Sequence, residues 1–197
     1  MSFRVSPEVE IMCAPRRAYS ELAAKPRALS VLDASYRPLI VGVTIGTSTS
    51  ISSTAHVSLG LVASVTACWS FLVVIQVLAA WMVIPSAARR GMGTACALDL
   101  LFSGHAPWSL WLLATAFWAL MLPISHRDSR WLLGSMMIPI VWNALIVFAF
   151  FRSALALPHE VALRRTVAHQ ALSVGSTLAI LLSAVAIWPR IVGVFVR

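Results

Sequence analysis

Five long apolar runs, separated by short polar and basic stretches, dominate the pattern of hydrophobic and polar positions along this chain. The runs are Pro38–Ser58, Leu59–Ile84, Trp108–Ile124, Trp131–Phe151 and Ala171–Trp188. Each approaches the roughly 20 residues (range about 17–25) that a helix needs to cross a hydrocarbon core about 30 Å thick. The pattern therefore predicts an all-α fold, a polytopic transmembrane helical bundle of about five spans that occupies residues 38–192.

The segment that precedes these runs, residues 1–37, is polar and mixed in charge. Pro15 can open a helix that carries Tyr19 and Leu22 on one side and charged residues elsewhere, and Pro26 limits it. We expect a cytoplasmic N-terminal segment whose amphipathic helix lies in the membrane interface. A solvated tail is the alternative.

Composition removes the soluble classes of protein. The chain is 59% hydrophobic and 11% charged, whereas soluble domains average about 25% charged residues. The net charge of +8 is better explained by orientation in a bilayer than by nucleic acid, because Lys and Arg concentrate in cytoplasmic loops. With five spans, eleven of the 15 Lys and Arg residues fall on the side of the N-terminus, which predicts that this side is cytoplasmic.

The first run is unusual because its second half is rich in hydroxyl side chains. Gly42 and Gly46 have the small-xxx-small spacing that lets two membrane helices approach closely. The first interpretation is therefore a helix packed inside a bundle. The alternative is a polar substrate pathway along Thr47, Ser50 and Thr54.

The segment between the second and third runs, residues 89–106, is too short and too mixed to span a membrane. It carries Arg89, Arg90, Asp99 and His105, and it could form an interfacial helix or a re-entrant piece. An ionisable residue such as Asp99 at membrane depth is a functional candidate by default. The structural interpretation, in which Arg89 or Arg90 pairs with it, is favoured.

Catalytic and metal-binding motifs give little signal. His159 and Glu160 begin what could be a zinc-binding HExxH helix, but the second histidine is missing. The three cysteines have no metal or redox spacing. We therefore expect no cofactor, no metal and no enzymatic activity, with lipid and other membrane proteins, or a second copy of the chain, as partners.

The order of these features resembles the YIP (Ypt-interacting protein) family, in particular its bacterial relatives. The stretches that carry the resemblance are Pro15–Tyr19 with Lys25-Pro26, Ala97–Leu113 with Ala106-Pro107, and Phe151–Leu163. The resemblance covers about residues 12–190. It implies a five-helix, non-enzymatic protein of the bacterial inner membrane that associates with other membrane proteins or shapes membranes. The Asp-Leu-Tyr-Gly-Pro type motif of eukaryotic members is missing, since Tyr36-Arg37-Pro38 stands in its place, so Rab GTPase binding is in doubt.

Three functions follow as hypotheses. The first is a membrane scaffold or accessory subunit that acts through helix packing, with Gly42 and Gly46 in the interface, and through its cytoplasmic linkers. The second is a small transporter or channel lined by the hydroxyl-rich first run. The third is a lipid-modifying enzyme that uses Asp99, His105 or His159 at the cytoplasmic interface.

Overall fold

The computed structural model describes residues 6–25, 28–122 and 129–195, and helices account for nearly all of these ranges. The α-helices are α1 (Pro7–Cys13), α2 (Pro15–Ala23), α3 (Val31–Thr54), α4 (Leu59–Val83), α5 (Ser86–Met92), α6 (Thr94–Phe102), α7 (Ala106–Met121), α8 (Ser129–Ser135), α9 (Met137–Ala149), α10 (His159–Gln170) and α11 (Ser176–Phe195). A 3-10 turn, Ser103–His105, leads into α7, and π turns occupy Phe150–Ala154 and Ala171–Gly175. The all-helical prediction is confirmed.

Three stretches of the described chain are both long enough and apolar enough to cross a membrane. They are Leu59–Val83, Arg130–Ala154 and His159–Ile187, with mean hydropathies of 2.2, 2.0 and 1.8. The first is α4, the second joins α8, α9 and a π turn, and the third joins α10, a π turn and α11. These helices fit a membrane protein, whereas the predicted count of about five spans is not confirmed.

The other two predicted spans differ from these three for separate reasons. Helix α3 has 24 residues, but hydroxyl side chains lower the apolar character of its second half. Helix α7 has 16 residues and ends at Met121. The end of the third apolar run, at Ile124, and the polar turn that follows it up to Asp128 lie outside the described residues.

Helix α3 begins at Val31, seven residues before the predicted start at Pro38. Ser30 and Asp33 form a capping box: the Asp33 N–H donates to Ser30 Oγ at 3.1 Å, and the Ser30 N–H donates to Asp33 Oδ2 at 3.0 Å. This pair satisfies amide donors that a helix start otherwise leaves free. Pro38 therefore lies inside the helix, and Arg37 becomes part of the bundle.

The last membrane-spanning stretch begins at His159, although the sequence pattern placed its start at Ala171. Helix α10, which carries the basic residues before the last apolar run, continues through the π turn into that run as one uninterrupted helical stretch. The reason lies in α10, which buries Ala162, Thr166 and His169 on one side, while Arg164 remains exposed on another. A helix with one buried side is stabilised by packing even when its sequence is basic overall.

The N-terminal helices pack on the bundle. Ile11 and Tyr19 have no exposed surface, and the Tyr19 ring meets the Phe150 ring edge-on with centroids 5.6 Å apart. Burial also raises the pKa of the Tyr19 phenol. Trp142 Nε1 donates to the Met12 carbonyl at 3.3 Å. Helices α1 and α2 thus cover the core formed with α9 and its π turn.

Arg37 ties the N-terminal segment to the interior of the chain. Its guanidinium pairs with Glu8 of α1 and, through Nε, with Asp99 of α6 at 2.7 Å. The interpretation in which Arg89 or Arg90 pairs with Asp99 is therefore wrong. Arg89 instead lies over the Trp81 ring, 4.7 Å from its centroid, where a cation is attracted by the aromatic face.

Helix α3 approaches α4 at its two glycines. A Cβ at Gly42 would lie 3.6 Å from Val73 Cγ2, an ordinary contact. A Cβ at Gly46 would lie 2.0 Å from Thr66 Oγ1 and 2.9 Å from the Thr66 backbone nitrogen. The close approach therefore requires glycine at position 46, whereas position 42 has room for the methyl group of an alanine.

Replacing Arg37 with Met should destabilise the fold by about 1–3 kcal/mol, because two carboxylates lose a charge-assisted hydrogen bond. The Arg17–Glu21 pair offers a matched control, since both of its side chains are more than half exposed. Arg17→Met should leave stability nearly unchanged. Unfolding titrations in mixed micelles measure both, and equal effects would contradict the role of Arg37.

Replacing Gly46 with Ala should destabilise the protein by about 1–3 kcal/mol, because the new methyl group overlaps Thr66. Gly42→Ala is the control, and it should be neutral or stabilising by up to about 1 kcal/mol, since Ala favours the helix over Gly. Adding Thr66→Ala to Gly46→Ala should restore only part of the loss, because the contact with backbone remains. The same unfolding titrations test this, and a harmless Gly46→Ala would contradict the close approach.

Candidate functional site

A cavity of about 390 Å³ lies inside the bundle, between α3, α4, α7, α9, α10 and α11. Its volume falls within the range of small-molecule pockets, roughly 300–1,000 Å³. The polar and aromatic side chains among its described lining residues are Ser48, Thr49, Ser52, Trp69, Gln76, His105, Trp108, Ser109, Trp111, Thr115, Asn143, His169, Gln170, Ser173 and Thr177. Apolar side chains such as Val41 and Ile45 complete the wall.

One face of α3 supplies the hydroxyls of this wall. Ser48, Thr49 and Ser52 continue the line of Val41 and Ile45, at the three- and four-residue spacing that places side chains on one side of a helix. Gly42 and Gly46 of the same helix lie against α4 instead. Helix α3 therefore divides its small and polar residues between a packing face and a cavity face.

The pathway residues expected from the sequence lie elsewhere on α3. Ser50 is buried and donates to the Gly46 carbonyl at 2.7 Å. Thr54 is exposed and donates to the Ser50 carbonyl at 2.8 Å. Neither these two residues nor Thr47 is among the described lining residues of the cavity.

Several polar atoms at the cavity wall are buried without a hydrogen-bond partner within the described part of the chain. They are Ser48 Oγ, Gln76 Oε1, His105 Nδ1 and both ring nitrogens of His169. Leaving a buried donor or acceptor unpaired costs about 1–3 kcal/mol. Four residues of one cavity wall therefore carry this cost.

Asn143 and Gln170 also line the cavity, but their side-chain amides have hydrogen-bond partners. Gln170 Nε2 donates to Asn143 Oδ1 at 3.0 Å, and Asn143 Nδ2 donates to the Gly104 carbonyl at 3.3 Å. This bridge joins the end of α10 to α9 and to the turn before α7. It holds the Asn143 and Gln170 side chains in place within the cavity wall.

His105 occupies the turn before α7 and is only 3% exposed. Its ring stacks on Phe102, with centroids 4.6 Å apart and planes 11° from parallel. Burial, and secondarily the nearby His169, lowers the pKa of His105 to about 4. The imidazole is therefore neutral near pH 7, with one nitrogen to donate and one to accept a hydrogen bond.

The π turn after α10 brings a further part of the wall into place. Ser173, within that turn, lines the cavity and donates to the His169 carbonyl at 2.7 Å. Thr177 lines it one turn later and donates to the Ser173 carbonyl at 2.8 Å. Single π turns inside α-helices are frequent at functional sites because the extra residue redirects the side chains around it.

The remaining residues singled out from the sequence do not join this site. Asp99 is paired with Arg37. Arg90 and Glu160 are exposed, and His159 is an exposed side chain whose ring meets Phe148 edge-on at 5.3 Å. Of the three enzyme candidates, only His105 lines the cavity, so the structure does not assemble them into one site.

Sequence reasoning missed Gln76, Asn143, His169 and Gln170. Two of them carried a usable signal, because Gln76 and Asn143 interrupt otherwise apolar membrane runs, and polar residues there usually serve a function or a network. His169 and Gln170 lie in residues 152–170, a basic stretch between the last two apolar runs. Their burial follows from the continuous helix into which that segment folds.

Two arrangements that catalytic sites use are absent from the described part of the chain. No group of three or more His, Cys, Asp or Glu able to hold a metal ion occurs among the described residues. In the same part of the chain, no serine hydroxyl hydrogen-bonds to His105 Nδ1 or to either nitrogen of His169. A nucleophile activated by histidine requires that contact.

Comparisons with protein-family models, with curated proteins and with solved structures find no match to this chain. The resemblance to the YIP family therefore stays a prediction.

Asn143 and Gln76 should respond in opposite ways to replacement by Leu. Asn143→Leu removes two hydrogen bonds and leaves the Gly104 carbonyl unpaired, so it should cost about 1–3 kcal/mol of unfolding free energy. Gln76→Leu removes an acceptor that has no partner, so it should be neutral or stabilising by up to about 2 kcal/mol. Unfolding titrations compare them, and a loss of stability in Gln76→Leu would show that its amide has a structural role.

Proposed function

We propose that this protein is a small integral membrane transporter that holds its substrate in the cavity between α3, α4, α7 and the π turn after α10. The observation that carries the proposal is a cavity of about 390 Å³ with a polar and aromatic lining, to which Ser48, Gln76, His105 and His169 contribute. Each of these four side chains also has a polar atom that is buried without a hydrogen-bond partner among the described residues. Such groups are costly in a protein interior and tend to be kept where they serve a site.

Position within the bundle supports transport over binding alone. Gln76 lies on α4, and His169 lies on the stretch His159–Ile187, both of which are apolar enough to cross a membrane. Polar residues within membrane helices that face a cavity mark substrate pathways. The hydroxyl face of α3 would supply the same kind of lining. In this proposal α3 is a fourth membrane helix and α7 is a fifth.

The proposed orientation follows from charge. With five membrane helices, most Lys and Arg residues lie on the side of α1 and α2, which places that side in the cytoplasm. Arg89 and Arg90, near the end of α4, then face anionic lipid head groups on the same side.

The scaffold hypothesis has less support from the geometry. It relied on Gly42 and Gly46 as a surface for another protein, but α4 of the same chain packs against both of them. No other contact among the described residues favours a particular partner.

Cysteine accessibility tests the proposed pathway. In a background in which Cys13, Cys68 and Cys96 are replaced by Ser or Ala, cysteines at Thr49 and Ser52, two half-buried positions that line the cavity, should react with a small hydrophilic methanethiosulfonate in nanodiscs. A cysteine at Ser50, on the same helix but off the cavity wall, is the control and should react at least ten-fold more slowly. Equal rates at positions 49 and 50, or no reaction at either cavity position, would overturn the proposal.

A further inference from the structure

The described polar groups of the cavity wall are all uncharged. Gln76 Oε1 can only accept a hydrogen bond, whereas a neutral histidine offers one donor and one acceptor, and the Ser48 hydroxyl can do both. Gln76, Ser48, His105 and His169 all line the cavity. A molecule that both donates and accepts hydrogen bonds therefore matches the chemistry of this lining.

An ion would be poorly accommodated in the same space. No Asp, Glu, Lys or Arg is found among the described lining residues. Arg37 of α3 and Asp99 of α6, which do not line the cavity, pair with each other. The wall is also deeply buried, since Ser48, His105 and His169 are 1%, 3% and 2% exposed. A buried charge without a counter-charge is strongly unfavourable.

Aromatic rings form much of the rest of the wall. Trp69, Trp108 and Trp111 line the cavity beside the His105 ring. Two of the indoles are held in place: Trp111 Nε1 donates to Ser135 Oγ at 3.0 Å, and the Trp108 and Trp111 rings meet edge-on at 6.0 Å. Fixed aromatic faces favour a flat aromatic ligand, which gains by offset stacking or edge-on contact.

The cavity volume suits a ligand of this size. About 390 Å³ lies within the range of small-molecule pockets, roughly 300–1,000 Å³. A substituted single ring or a pair of fused rings fits such a space.

We infer that the cavity selects neutral aromatic molecules that carry both a hydrogen-bond donor and a hydrogen-bond acceptor, with Gln76, His105 and His169 as the recognising groups. This inference rests on the proposed transport function and specifies the class of its substrate. A substrate of this kind crosses hydrocarbon slowly because of its polar groups, and the wall replaces the hydrogen bonds that it leaves behind in water.

Four probes built on one benzene ring test the class of ligand. They are tyrosol, which is neutral and polar, tyramine, a cation, 4-hydroxyphenylacetate, an anion, and 4-ethyltoluene, which has no hydrogen-bonding group. Saturation-transfer NMR on the whole protein in nanodiscs, with empty nanodiscs subtracted for partition into lipid, gives each dissociation constant. Tyrosol should bind at least ten-fold more tightly than either ion.

Two variants of α4 connect that selectivity to the wall. Gln76→Leu should weaken tyrosol binding at least five-fold and leave 4-ethyltoluene unchanged. Ser70→Ala removes an exposed hydroxyl of the same helix, one that donates to the Ala67 carbonyl and does not line the cavity. This control should bind all four probes as the wild type does.

The outcomes separate the two claims. If an ion bound as tightly as tyrosol, and Gln76→Leu weakened its binding, the class of ligand would be wrong and the cavity would remain a binding site. If no probe gave saturable binding and the cysteines at positions 49 and 52 were also unreactive, the transport function would fall with it. If tyrosol bound equally to wild type and to Gln76→Leu, the assignment of Gln76 would be overturned.

Discussion

Helix α3 places eight Ser and Thr residues between positions 44 and 54, and a buried hydroxyl group is costly without a hydrogen-bond partner. Three of these side chains find an acceptor locally: Ser50, Ser53 and Thr54 donate to carbonyls of the preceding turn. Ser48, Thr49 and Ser52 lie along the cavity, while Gly42 and Gly46 of the same helix allow α4 to approach closely. Helices α4, α6 and α7 all pack against α3. The cavity is the space that this packing leaves beside the hydroxyl face.

The N-terminal helices complete the same arrangement from the other end of α3. Arg37 could not be left alone in a partly buried position, and it receives carboxylates from α1 and α6. Burial by itself would raise the pKa of Glu8, but hydrogen bonds from its own backbone and from Arg37 lower that pKa below its usual value. The pair therefore stabilises the fold above the ordinary pKa of Glu8, and this stabilisation is lost as the pH falls through the lowered value. Tyr19 then fits over Gly104, where a Cβ would come within 2.7 Å of its hydroxyl.

Sequence patterns predicted the helical class and the strongly apolar helices, because a run of some 20 apolar residues has few other solutions. The same patterns placed the start of α3 too late, since the Ser30–Asp33 capping box is a local signal that the apolar run does not contain. They also separated His169 from the last span, because a basic stretch looks polar on average even when one of its sides is buried. Contacts between distant segments were beyond reach: Asp99 is 62 positions from Arg37, and nothing in either local sequence indicates that pairing. The cavity was missed for the same reason, since Gln76, His105 and His169 meet only after the bundle has formed.

A purely structural bundle would be more stable with apolar residues in place of the unpaired polar groups at Ser48, Gln76, His105 and His169, and the binding site that we propose gives a reason for keeping them. Native mass spectrometry of the protein extracted from its own membrane in nanodiscs tests this most directly. The account predicts that wild type carries a neutral small molecule, one per chain, and that Gln76→Leu loses most of it. Wild type and Gln76→Leu that carry identical adducts, or a stoichiometric protein partner in place of any small molecule, would contradict it.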